Sequence, residues 1–392
     1  MMTSTTDEIP QDDGRRTRRS RHDAPIAVGL GVAGAFVALL LGLLTFGVQA
    51  TVEPHHLPLA IGTADAASAT AMAPVLDRVA AQGGDAVAWR RVGSRAEAEA
   101  LLDRKQAYGA VIFTAGPAGP SATVLVSGAL NPTATQVAQS ALTQVAENVT
   151  SAARAQAASR QSAGQGPAAA AGAASRAAAA PGVQVVTIHP TSAAGRTLPL
   201  AASALLWIAT LVTSVLALVL PPRRPGGRPL GRLLSIVAAI SGAVLGTATV
   251  LGLARLWDSG ITFGWEAVAF LGLVALSFAL LQGAVLRWLR LPGIALLALL
   301  YLTAPAVAGL VPELLNPVYR ALLWSWTPFR FSAEALRSLL FLGPNGPDVS
   351  AGIWVFSGIG LAGLLLMLAP KPRLRQARPM AEALSMDAEG QR

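Results

Sequence analysis

A polar segment spanning residues 51–197 separates the first long apolar run of this chain, at 26–48, from five more at 198–220, 233–254, 267–286, 294–311 and 351–369. None of the six runs contains Asp, Glu, Lys, Arg or His. A bilayer hydrocarbon core about 30 Å thick is crossed by roughly 20 apolar residues of helix, which is the scale of each run. Backbone groups find no water there, so such runs must satisfy their own hydrogen bonds as helices. The expected architecture is an α-helical integral membrane protein with six transmembrane helices and a small α/β extracytoplasmic domain inserted between helices one and two.

Arginines orient the spans. Arg15, Arg16, Arg18, Arg19 and Arg21 precede the first, and Arg223, Arg224, Arg228 and Arg232 fill the loop between the second and third. Arg287 and Arg290 separate the fourth from the fifth, and Lys371, Arg373, Arg375 and Arg378 follow the sixth. If every run crosses once, all four groups share one side, which the positive-inside rule makes the cytoplasm. Both termini are then cytoplasmic. The formal charge of +9 serves topology and contact with anionic lipid headgroups, and nucleic acid is not an expected partner. Residues 48–50 (Val-Gln-Ala) would suit a signal-peptide cleavage site. The run before them exceeds the roughly 7–15 residues of a signal-peptide core, so an uncleaved anchor is favoured. Lysine occurs only at Lys105 and Lys371 among 30 basic residues, a composition typical of a GC-rich bacterial genome and hence of a bacterial plasma-membrane protein.

The residues divide the chain into a basic cytoplasmic segment (1–25), a first helix (26–50), an α/β domain (51–160), a flexible Ala/Gly/Ser/Pro-rich tether (161–182), a return segment (183–197), a five-helix membrane domain (198–370) and a cytoplasmic tail (371–392). Within the α/β domain, 57–62 and 86–92 read as strands, with a helix at 67–82 carrying Met72, Val75, Leu76 and Val79 on one face. Ser94 and Glu97 form an S-x-x-E capping box that opens the next helix. Strands follow at 108–113 and 122–126, then a long helix from about Thr133, and 183–188 returns as a further strand.

The chain has no cysteine, so it holds no disulfide and no thiolate metal site. Its four histidines include one adjacent pair, His55 and His56, which share neither a helix face nor a strand face. No G-x-x-x-x-G-K-[ST] phosphate loop, G-x-S-x-G or H-E-x-x-H pattern is present. Neither an enzyme nor a cofactor is expected. Asp65, Asp77, Asp85, Glu97, Glu99 and Asp103 read as solvated faces of the small domain. The spans lack the buried charge that a proton-driven transporter uses, so transport would draw its energy from another subunit. Ala238, Gly242 and Gly246 recur every four residues, a spacing that serves ordinary helix packing more often than a dimer face. In the loop before the last span, Asn316 and Pro317 open a short helix that Pro328 breaks, and Ser332 starts another ending at Gly343. These interfacial helices, within 316–342, are expected to lie flat or dip into the outer leaflet.

Three stretches resemble the ABC-2 type permeases, and within them the YhgE/Pip (phage infection protein) group. The opening LPLAIGTAD resembles that group's P-x-A-x-V-N-x-D, with Thr63 and Ala64 where relatives often carry Val-Asn. The unit AEALLDRKQAYGAVIFTA resembles its A-x-x-x-L-x-x-G-x-x-x-A-x-x-x-P. LWSWTPFRFSAEALRSLLFLG resembles its P-x-T-x-x-x-x-x-x-R, with Thr327, Pro328 and Arg337 at the characteristic positions. The resemblance implies a permease subunit that exports an amphipathic or cell-envelope substrate, as a homodimer or as a heterodimer with another permease. It also implies a separate nucleotide-binding ATPase coupled through the loop bearing Arg223, Arg224, Arg228 and Arg232. A non-transporting envelope scaffold or surface receptor, such as a secretion-system accessory or phage receptor, is the alternative. The topology has a direct check: reporter fusions at Ala180 and after Arg392 should report opposite sides of the membrane, and matching signals would exclude six crossings.

Overall fold

In a computed structural model, the chain is described at residues 32, 34–39, 41–116, 120–162, 182–219 and 232–370. Helix α1 (Gly34–Ala50) leads into a five-stranded sheet with its helices. These are β1 (Leu57–Thr63), α2 (Ala66–Ala81), β2 (Val87–Val92), α3 (Arg95–Asp103), β3 (Ala110–Thr114), β4 (Ser121–Ser127), α4 (Pro132–Ser162) and β5 (Val183–Ile188). Long apolar helices follow: α5 (Ala193–Val219), α6 (Arg232–Trp257), α7 (Trp265–Leu289) and α8 (Leu291–Ala308). After them come α9 (Pro328–Phe341) and α10 (Val349–Leu368).

Strand order is β2-β1-β3-β4-β5, parallel except between β3 and β4. Alternating side chains divide the sheet between two cores. Leu57, Leu59, Ile61, Val111, Phe113 and Val124 face α2 and α4, whereas Ala60, Ala110, Ile112 and Leu125 face Ala98 and Leu102 of α3. Five of the six acids expected on solvated faces have a local task. Asp65 caps α2 by accepting from the Ser68 amide at 2.7 Å, a bond that lowers its pKa. Ser94 accepts from the Glu97 amide at 3.2 Å as the capping box predicts, while the glutamate returns one residue further back than expected, accepting from the Gly93 amide at 2.8 Å. Asp77 pairs with Arg91, Glu99 with Arg95 and Asp103 with His189.

Among the described residues five helices are long and apolar enough to cross a membrane: α5, residues 235–257 of α6, α7, α8 and α10. This is a multi-pass membrane protein. Helix α1 is apolar but shorter over its described length. Its side chains are largely exposed, and it meets the rest of the protein near its end, where Tyr319 Oη donates to the Leu43 carbonyl at 2.8 Å. The expected span at 294–311 is displaced, because Arg290, at φ 55°, reverses the chain in a single residue and Pro292 starts α8 three residues early. The helix ends at Gly309, and Val311 joins Leu314 in the α2–α4 side of the sheet core.

Helix α7 is the hub of the bundle, packed on α5, α6 and α10. The small residues of α6 face its own chain: a methyl group at Gly242 would come within 3.0 Å of Thr213 on α5. At Gly363 of α10 an added Cβ would meet the α7 backbone, 2.7 Å from the Leu281 nitrogen, so glycine allows that helix pair to approach closely. Trp207, Phe278, Phe329 and Phe356 fill the centre, with Trp207 and Phe278 edge to face at 4.9 Å. At one end, Arg287 of α7 donates to the Met367 and Ala369 carbonyls, and Trp288 donates to Leu366, closing the orphan carbonyls of α10.

The loop before α10 corrects one expectation. Asn316 caps a helical turn at Pro317–Tyr319, with its side chain accepting from the Val318 amide at 3.0 Å. The second helix, however, starts at Pro328, not Ser332, since proline at the first helical position has its backbone angle preset. Nor is α9 a surface helix. Phe329, Ser332, Ala333, Ala335 and Leu336 are buried against α5, α7, α8 and α10, and Ser332 Oγ meets Ser203 Oγ at 2.7 Å.

Candidate functional site

The sheet domain stands on one end of the bundle, and the contact is charged. Lys105 follows α3 and reaches α9, where its Nζ donates to Glu334 Oε2 at 2.9 Å and to the Glu334 carbonyl at 3.3 Å. Its third bond goes to Asp348 Oδ2 at 2.8 Å, on the residue that precedes α10. One ammonium has three donors, and here each finds an acceptor. Arg337 Nη1 holds the other oxygen of Glu334 at 2.5 Å. Glu334 thus lies between a cation of the sheet domain and a cation of its own helix.

Local backbone geometry places Lys105. The Gln106 amide donates to Leu101 at 2.8 Å and the Lys105 amide to Leu102 at 3.0 Å, the paired bonds that close a helix over a left-handed residue. That residue is ordinarily glycine. Lys105 occupies it at φ 55°, at a cost of about 1 kcal/mol. Asp348 also has positive φ, at 69°. Two partners of the same carboxylate cluster therefore sit in uncommon backbone conformations, as side chains held for a task often do.

Around this pair the charges balance. Tyr108 Oη donates to Glu313 Oε2 at 3.2 Å. Arg330 lies over the Trp324 and Phe331 rings, 3.8 Å from each centroid, and donates to the Ser325 carbonyl. A cavity of about 180 Å³ is lined by Lys105, Tyr108, Asn131, Arg330, Glu334 and Asp348. Burial by itself would raise the Glu334 pKa, but Arg337 and Lys105 outweigh it and bring the carboxyl down to about 2. Burial, then the charge of Glu313, drives the Tyr108 pKa upward, and burial lowers that of Arg330. Apolar contacts and hydrogen bonds flank the charges: Asn131 donates to the Gly309 carbonyl at 3.2 Å, and the His55 amide donates to the Glu313 carbonyl at 2.7 Å.

Of the residues singled out by sequence, Thr327, Pro328 and Arg337 fall at or beside this junction. Thr327 immediately precedes α9, buried, with its hydroxyl unpartnered; Pro328 is the first helical residue; Arg337 is 3% exposed. Arg337 is not among the residues lining the junction cavity and acts as a positioning residue for Glu334. Arg223, Arg224 and Arg228 lie outside the described residues, and Arg232 is the first residue of α6. Lys105, Glu334 and Asp348 are not singled out by the sequence. The available signal is Lys105 itself, a rare lysine where a helix end favours glycine. Among the described residues no group of His, Asp or Glu has metal-binding geometry. Comparisons of the chain with protein families, curated proteins and solved structures gave no significant match.

The ion cluster sets two expectations. Glu334→Gln takes the carboxylate from the buried Arg337 and leaves Lys105 with Asp348 alone, which should destabilise the fold by roughly 3 kcal/mol, the low end for a buried pair, because the Glu334 side chain keeps 22% exposure. Arg91→Gln, which breaks an exposed pair, should change it by under about 1 kcal/mol. Because the folded Glu334 pKa is depressed, its contribution is fully present above the ordinary value of 4.5 and is lost as pH falls through about 2. Thermal unfolding of the purified chain between pH 6 and about pH 2 should show this loss in the wild type and a shallower acid dependence in Glu334→Gln.

Proposed function

We propose that this chain is the permease subunit of an ABC-type exporter in a bacterial plasma membrane, moving an amphipathic or cell-envelope substrate outward with energy from a separate ATPase. In this reading both termini are cytoplasmic, the sheet domain is extracytoplasmic, and a second permease copy or homologue completes the transporter. The observation that carries it is the division of polarity along the bundle. The sheet domain is clamped by charge at one end, and Arg287 and Arg290 lie at the other, in and just past the last turn of α7. Between them the described spans use only mild polar groups. Ser277 Oγ bonds the Phe356 carbonyl at 2.7 Å, Gln282 Nε2 bonds the Trp207 carbonyl at 3.1 Å, and Ser203 bonds Ser332. Such groups join helices, and the one carboxylate within the described spans, Glu266, lies in the first turn of α7, away from mid-span where a proton relay would need it.

One observation favours the alternative, a non-transporting envelope scaffold or surface receptor: the bundle centre is filled by Trp207, Phe278, Phe329 and Phe356, so a substrate would have to pass along its surface or between two copies. Affinity purification separates the two readings. An ATPase should be recovered with the wild-type chain and lost on joint change of Arg223, Arg224, Arg228 and Arg232 to Gln, with the chain still inserted. Recovery of envelope or secretion-system proteins and no ATPase would favour the scaffold. Export by the chain alone in proteoliposomes under a pH gradient would overturn the ABC-type reading.

A further inference from the structure

Helix α4 is far longer than the strands beneath it: its 31 residues extend about 46 Å at 1.5 Å per residue, against strands of 5–7 residues. Its second half therefore runs alongside α2 with little sheet below. The facing side chains are short, with Val75 and Val79 on α2 and Ala141, Val145, Val149 and Ala152 on α4. Residues of that size do not close the gap, and a groove of about 490 Å³ remains, with Val87 and Trp89 at its floor. The size falls within the usual range for a small-molecule site, roughly 300–1,000 Å³.

Its polar lining is one cation, an indole and four carboxamides, Gln82, Gln144, Asn148 and Gln156, so its only formal charge among the described residues is positive. Arg78, in the last turn of α2, stands at the rim with the amides of Gln144 and Asn148, and no carboxylate is among the described lining residues. The Trp89 ring packs beneath Gly83, with its indole N–H buried there. An apolar trough with one guanidinium and carboxamides at its edge is complementary to a hydrocarbon chain ending in an anionic head. A large globular partner would not fit the narrow gap between two helices, and a cation would meet Arg78.

We propose that the α2–α4 groove binds a single-chain anionic amphiphile, with its hydrocarbon along Val145 and Val149 and its head at Arg78. This site is independent of the export reading, since a receptor or scaffold could use it equally. The probe is palmitate, offered to the full chain in lipid nanodiscs. Wild type should bind it saturably, one per chain, above the lipid background. Val145→Trp, which fills the groove, should remove the saturable part. Arg78→Gln should weaken palmitate binding about tenfold, as expected for loss of a charge-assisted hydrogen bond, and leave palmitoyl alcohol binding unchanged. Because Val145→Trp could disturb folding, a second measurement uses the wild type: a photoactivatable palmitate should label peptides covering residues 75–89 and 141–156. Binding equal to background, equal binding by Val145→Trp, indifference to Arg78→Gln, or labelling confined to the spans would each overturn the proposal.

Discussion

Glu334 is where the two halves of this protein are joined. Its carboxylate accepts from Lys105 of the sheet domain and from Arg337 of its own helix, and Lys105 also reaches Asp348 beside α10. An isolated ion pair is weak evidence for stability, because desolvation offsets attraction. Here the compensation is local and complete for Lys105, whose three donors are all used. Breaking the centre of such a cluster leaves buried charges behind, so its removal is expected to matter more than loss of any exposed pair.

The membrane helices depend on a different economy of contacts. Lipid provides no hydrophobic drive between apolar helices, so close approach and a few hydrogen bonds must hold them. Gly242 lets α6 lie on α5 and Gly363 lets α10 lie on α7, while Ser277 and Gln282 bond carbonyls of neighbouring helices. Helix α9 completes this arrangement by filling the space under the sheet domain with Phe329 and Leu336. It is also the element that bears Glu334 and Arg337. Packing of the bundle and docking of the domain therefore share one helix, so a displacement of one is felt by the other.

The apolar runs were legible because membrane thickness imposes a length on them, and the strands and capping box of the small domain because they follow two local periodicities. The spacing of Gly242 and Gly246 was legible as packing, and the structure supplies the partner, α5. Helix α9, expected on the surface, is instead covered by neighbouring helices. Its sequence is amphipathic, and an amphipathic helix can cover a membrane surface or fill a gap between other helices; only the tertiary arrangement distinguishes them. The Lys105–Glu334 pair was invisible for a plainer reason. Its members are 229 positions apart, and one exposed-looking lysine and one exposed-looking glutamate carry no mutual signal. The groove beside α4 was hidden likewise, since an alanine-rich helix face reads as unremarkable until its neighbour fails to fill the gap.

The central claim is that charge at Glu334 fixes the sheet domain on the bundle. The absence of cysteine allows spin labels to be placed at will, for example at Ala71→Cys on α2 and Ser350→Cys on α10, both exposed. A pulsed electron-paramagnetic-resonance distance measurement on this pair should give one narrow distribution in the otherwise unchanged chain and a broad one when Glu334→Gln is added. A broad distribution in the unchanged chain, or an identical narrow one in both, would contradict the account.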